Sequence, residues 1–130
     1  MLKNISPLLN PEVLHALASM GHGDEILIAD ANFPAAALAA RLCRMDIPDA
    51  VEAVRATLSL MPLDQYVDCP VAVMAVVGDP AALTPTEAEF QRAVDTAEGR
   101  RIEIERLERH RFYERARKAF AIIATGETRL

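Results

Sequence analysis

The sequence predicts an α/β fold with a mostly buried central sheet, on three observations. Helical and strand-like periodicities alternate along the chain, as in layered α/β domains. Residues 26–29 and 71–77 are apolar runs without a charge, as expected of strands covered on both faces. Of 130 residues 52% are hydrophobic but only 5% aromatic, with no Trp, so small aliphatic side chains must fill the core. That length suits one domain with a real core, and the composition argues against disorder. The many alanines point to closely packed elements and to packing between subunits.

The elements follow in order. Asn10 and Pro11 are a capping residue and a first-turn proline. Val13, Leu14, Leu17 and Ala18 then recur at helical spacing, so a helix runs from Pro11 to about Met20, where Gly21 ends it. Residues 26–29 read as a strand, broken by Asn32-Phe33-Pro34. Residues 35–40 favour helix by their alanines but lack a cap, and 41–45 suggest a short strand. Asp46 is expected to cap a helix with Ile47, Val51, Val54, Leu58 and Met61 on one stripe, stopped by Pro62. Leu63-Asp64-Gln65-Tyr66 reads as a loop and 71–77 as the strongest strand signal. After the Gly78-Asp79-Pro80 turn, Thr84-Pro85-Thr86-Glu87 forms a capping box that opens a helix to about Ala97, ended by Gly99. Ile102, Ile104 and Leu107 alternate with charged residues as a half-buried strand. Residues 112–118 suggest a short helix, and 120–124 a last strand closed by Gly126.

The charge balance narrows the function. Net charge is −5, which disfavours nucleic acid or an anionic membrane as a partner. Eight of the fourteen basic residues fall between Arg100 and Lys118, but glutamates interleave with them, the pattern of a solvated, salt-bridged surface. Cys43 and Cys69 are far apart, with no CxxC and no neighbouring His, so no zinc site is expected. Neither a leader nor an apolar run of membrane length is present, and the expectation is a cytosolic chain with reduced thiols. P-loop, GxGxxG, GxSxG and HExxH motifs are absent, which leaves nothing to support nucleotide, redox or serine-hydrolase chemistry.

The most informative segment is Met20-Gly21-His22-Gly23-Asp24-Glu25. Glycines on both sides allow backbone conformations closed to other residues, so His22 can be presented in the open. Imidazole gives and takes protons near neutral pH, which suggests proton transfer on a small, neutral, hydroxyl-rich substrate. The alternative is a loop histidine bonded to backbone. Asp30 ends the first strand, where open α/β sheets place ligand contacts, although it could equally close an Asx-turn or cap the next segment. Asp64 lies in the loop before Tyr66. Arg109 and Tyr113 are four apart and would share a face if their helix begins early enough. Together they offer a fixed donor fork and a hydroxyl, unless Arg109 serves only in an ion pair with Glu105 or Glu108. His15 reads as a surface residue, and His110 could serve either role. Asp24 and Glu25 alternate to opposite faces, which argues against a metal site beside His22.

The chain resembles the L-fucose mutarotase family, with the D-ribose pyranases as more distant kin. The likeness is carried by Met1-Leu2-Lys3-Asn4-Ile5-Ser6-Pro7-Leu8, by the Met20 to Glu25 segment and by Asp30-Ala31-Asn32-Phe33-Pro34-Ala35. It continues in Leu63-Asp64-Gln65-Tyr66, in Arg109-His110-Arg111-Phe112-Tyr113-Glu114-Arg115-Ala116, in Lys118-Ala119-Phe120-Ala121-Ile122-Ile123 and in Thr125-Gly126-Glu127. What it implies is a single three-layer domain, helices on both faces of the sheet, and a cofactor-free isomerase. That enzyme would interconvert the α and β anomers of a fucose-like monosaccharide. By the same likeness His22 transfers protons, while Asp30, Asp64, Arg109 and Tyr113 contact the sugar. The family forms ring-like homo-oligomers, often decamers, with sites at subunit boundaries. Two departures stand out. Family members carry a Tyr-x-Asn segment after the TGE motif that this 130-residue sequence does not include, and a position often occupied by histidine is Asn32. Two alternatives stay open: a ribose-pyranase-like isomerase and a non-catalytic sugar-binding ring protein. The spacing also poses a problem, because eight extended residues between His22 and Asp30 span about 26–29 Å. Either the glycines fold the histidine back, or the two residues serve sites of different chains.

Overall fold

The computed structural model describes residues 1–129. The α/β class holds, and all named strand pairs are parallel. Helix α1 (Pro11–Ser19) opens with Asn10, whose Oδ1 accepts from Val13 N at 3.0 Å and whose Nδ2 donates to the Arg44 carbonyl at 2.6 Å. One residue thereby caps the helix and ties it to the sheet. Strands β1 (Ile26–Ala29), β2 (Leu42–Arg44) and β5 (Ala121–Ala124) form a three-stranded sheet in the order β1-β5-β2. The last strand is thus inserted between the first two, with Ile26 beside Ala121 and Leu42 beside Ile122.

Both faces of this sheet are covered. Ala121 and Ile123 join Leu9, Val13 and Ala16 of the α1 side and Ala53 and Ala56 of α3 (Ala50–Leu58). Ile122 points the other way, into a cluster with Ala35 of α2 (Ala35–Leu38) and Ala116 of α5 (Arg109–Lys118). This alternation is the period of two expected of a strand. It yields the three layers that the resemblance implied. Alanines at most helix contacts bring the helices close to the sheet.

Strands β3 (Val71–Met74) and β4 (Ile104–Leu107) form a separate two-stranded sheet, so the strands are divided rather than gathered in one sheet. Helix α4 (Pro85–Glu98) packs Val94 with Ile102, Leu63 and the α3 side chains Val54 and Leu58. Among the described residues no helix is long and apolar enough to cross a membrane.

Several boundaries differ from the sequence expectations. Asp49, not Asp46, caps α3, accepting from Val51 N at 2.8 Å. Pro48 restrains Ile47 outside the helix, and the Ile47 carbonyl instead accepts from Gly126 N at 2.8 Å. The helix accordingly starts at Ala50 and ends at Leu58, leaving Ile47 and Met61 outside it. Strand β3 stops at Met74, because its partner ends at Leu107, whose carbonyl receives Ala75 N. Val76 then faces Asp79 across a turn at Gly78 (φ 85°), and Val77 is exposed. Thr84 caps α4 through Glu87 N, but the Glu87 carboxylate leaves the capping box to bind Arg106 at 2.7 Å. Helix α5 begins three residues earlier than expected because Glu108 caps it, which places Arg109 and Tyr113 one turn apart.

Candidate active site

The carboxyl end of the three-stranded sheet gathers part of the expected site. Asp30 leaves β1 and its Oδ1 accepts from Asn32 N at 2.9 Å and Phe33 N at 2.8 Å. The Asx-turn weighed from the sequence is therefore present; Oδ2 makes no hydrogen bond among the described residues. Phe33 stands edge-on to Tyr113, with ring centroids 5.4 Å apart, and edge-on to Phe112 at 5.9 Å. Phe33 is thus the hinge that brings the Asp30 turn against the half-buried Tyr113 of α5.

Next to Asp30 the segment 125–129 is pinned. Thr125 donates through both N and Oγ1 to the Ala29 carbonyl, and Ala31 N donates to the Glu127 carbonyl at 2.8 Å. The Glu127 carboxylate is buried, accepts from Ala50 N at the start of α3, and is forked by Arg129. The Arg129 guanidinium, helped by the Ala50 N–H, holds it down to about 2 from an ordinary 4.5. Gly126 is needed for space: a Cβ there would sit 3.3 Å from the Ile47 carbonyl oxygen.

Arg109, one turn before Tyr113, lines a cavity of about 440 Å³ at the carboxyl end of the two-stranded sheet. Its wall includes Ala75, Val76, Val77, Arg106, Glu108 and Arg111. The His110 and Arg111 backbone N–H groups hold Glu108 below the usual carboxylate range, so it stays ionised as the cap of α5. Arg109 pairs with neither Glu105 nor Glu108 among the described residues. Sequence reading missed the other lining residues; the Gly78 turn after an apolar run was the signal that a strand ends there.

His22 lies at the opposite end of β1. Gly21 N donates to Asp24 Oδ2 at 2.8 Å and Asp24 N donates to the Gly21 carbonyl at 3.1 Å, closing a turn that leaves the imidazole exposed. Gly23 takes φ 84°, a conformation other residues resist, whereas a side chain at Gly21 would meet only Asp24 Oδ2 at 3.9 Å. Only one of the two glycines is therefore demanded by the turn. Glu25 and Asp30 are five extended residues apart, about 16 Å, and among the described residues no hydrogen bond joins the His22 turn to the Asp30 turn. Within one chain His22 and Asp30 are not brought together. Asp64, in the loop leading to β3, is also apart, exposed, with Oδ1 accepting from Tyr66 N at 2.8 Å.

Glu25 is committed to α5. The Arg115 Nε lies 3.0 and 2.9 Å from the two Glu25 oxygens, and Nη2 also donates to Glu25. Arg115 Nη1 reaches Glu105 of β4 at 3.4 Å. The Glu25 hydrogen bonds, with Glu105 nearby, hold the Arg115 guanidinium above the ordinary arginine value. No cluster of three or more metal-ligating side chains occurs among the described residues.

Residues 3–130 match the model of the RbsD / FucU transport protein family. The chain belongs to that family. Fucose mutarotase of Homo sapiens is 46% identical over 138 aligned residues, covering 99% of this chain and 87% of the relative. The crystal structure of the fucose mutarotase from Streptococcus pneumoniae in complex with L-fucose superposes with a TM-score of 0.88 at 40% identity, over 98% of this chain and 90% of that one. Bacillus subtilis RbsD complexed with D-ribose gives a TM-score of 0.69 at 24% identity, over 98% and 89%, a likeness of fold. Within the RbsD / FucU fold, the features this chain shares with its relatives thus extend through both sheets.

Proposed function

We propose that this chain is an isomerase that interconverts the α and β anomers of L-fucose or a closely similar reducing sugar, without a cofactor. The observation that carries this reading is the near-full-length identity to two fucose mutarotases, which far exceeds that to the ribose-binding relative. The exposed His22 and the Asp30–Tyr113 end of the sheet supply the chemistry the reaction needs. A proton leaves the anomeric hydroxyl, the bond between C1 and the ring oxygen breaks, and the ring oxygen takes a proton. The resulting aldehyde rotates about its bond to C2, and closure from the other face gives the other anomer. His22 shuttles the proton at one of these oxygens. Asp30, Asp64, Arg109 and Tyr113 hold the remaining hydroxyls. Positioned proton transfer contributes about 10²–10⁴-fold, sufficient for a reaction that also occurs unaided.

Because His22 and Asp30 stand at opposite ends of one strand, each sugar site draws His22 from one chain and Asp30 from another. The working form is a homo-oligomer, with the decamer as the expected size and the cytoplasm as its location. Two experiments test this. Saturation-transfer NMR with L-fucose and D-ribose side by side should show catalysed exchange for fucose in preference to ribose. Mixing His22→Ala with Asp30→Asn chains should restore part of the exchange lost in each alone. Fucose binding by calorimetry without rate enhancement would contradict the catalytic reading, and activity in a verified monomer would contradict the shared site.

A further inference from the structure

We infer that Arg115 is a positioning residue for the proposed proton transfer: its guanidinium fixes the His22-bearing turn to α5 and to the second sheet. This rests on the mutarotase reading above. The turn at Gly21 to Asp24 is closed on itself by two hydrogen bonds, so it moves as a unit. Its attachment to the sheet is Glu25. The Glu25 carbonyl accepts from Phe120 N at 2.8 Å, which sets the height of β1 against β5. The Glu25 carboxylate sets the swing of the turn. Among the described residues, the fork from Arg115 is the one side-chain hydrogen bond that joins residues 21–25 to any other element.

Arg115 suits this role by place and by chemistry. It lies two residues after Tyr113 on α5, the helix that also carries Arg109. Its Nη1 reaches Glu105 of β4, so one guanidinium spans a residue flanking the three-stranded sheet and a strand of the two-stranded sheet. A planar fork with donors on two sides holds two carboxylates at a fixed angle, which a lysine ammonium cannot do. The pair is partly exposed, with Arg115 at 33% and Glu25 at 44% of side-chain area. Ion pairs this open contribute little to stability. Their loss should thus appear in the rate rather than in the melting temperature, because small misplacements of a catalytic group are costly.

The test uses the full chain and the concentration dependence of L-fucose anomer exchange, with thermal unfolding in parallel. Arg115→Gln and Glu25→Gln should each lower kcat by about tenfold to a hundredfold, with KM changed by less than about threefold. The double variant should be no worse than either single, and Arg115→Lys should recover only part of the rate. If Arg115→Gln fails to fold, Glu25→Gln reads the same contact from its other end. An active wild type whose folded Arg115→Gln or Glu25→Gln variant keeps its kcat, loses only KM, or shows multiplied losses in the double variant would overturn the inference. A wild type without catalysed exchange would overturn the mutarotase reading, and this inference with it.

Discussion

In the three-stranded sheet the first three residues of the central strand are enclosed: Ala121, Ile122 and Ile123 have no exposed area, and helices cover them from both sides. In the two-stranded sheet every residue of β3 is only half-buried, and the loop that follows exposes Val76 and Val77. Of the residues proposed for chemistry, His22 and Asp30 lie in turns at the two ends of β1, Arg109 and Tyr113 on α5, and Asp64 in the loop before β3. The contrast teaches a division of labour. The buried central strand of the first sheet anchors the Asp30 and Thr125 turns through the Thr125 bonds to the Ala29 carbonyl, although the edge strands β1 and β2 are only partly buried. The second leaves Val76 and Val77 as apolar surface beside Arg109, the surface on which the proposed subunit-shared site would draw.

Core truncations separate the two sheets most strongly. Ile123→Ala should lower stability by about 2–5 kcal/mol in urea unfolding, because the helix-covered site cannot collapse around the cavity. A loss there no greater than in the second sheet would break the comparison. Glu127→Gln should cost about 1.5–3 kcal/mol, since it removes charge-assisted bonds to Ala50 N and Arg129. The folded value of Glu127 is about 2 against an ordinary 4.5, so its contribution is complete above the higher value and fades as pH falls toward the lower. The thermal midpoint of the wild type should therefore drop across that acid window, and Glu127→Gln should flatten that drop. Val73→Ala, in half-buried β3, should cost only about 1 kcal/mol. Val77→Ser should change the unfolding of the chain by no more than about 0.5 kcal/mol but reduce self-association in sedimentation.

Much of the fold was legible where local chemistry decides it. Asn10 with Pro11, Thr84 with Pro85, and Gly99 mark helix ends, and the structure uses all of them. What was not legible depends on partners far along the chain. Asp46 reads as the cap from the sequence, but the role falls to Asp49 because the Ile47 carbonyl is taken by Gly126. The length of β3 is set by where β4 ends, which an apolar run at 71–77 does not reveal. The split into two sheets, with β5 between β1 and β2, rests on long-range pairing without a local mark. In the site, Asp30 and Tyr113 could be named from the sequence, but not the Phe33 ring that joins them. Arg115 looked like one charge among many, and its fork to Glu25, ninety residues earlier, shows only in three dimensions.

The imidazole at the Gly23 turn bears the central claim, and saturation-transfer NMR of L-fucose anomer exchange with His22→Ala tests it most directly. The account predicts a folded variant with unchanged melting whose catalysed exchange falls by about 10²–10⁴-fold, to the unaided rate. Exchange at the wild-type rate in that variant would contradict it.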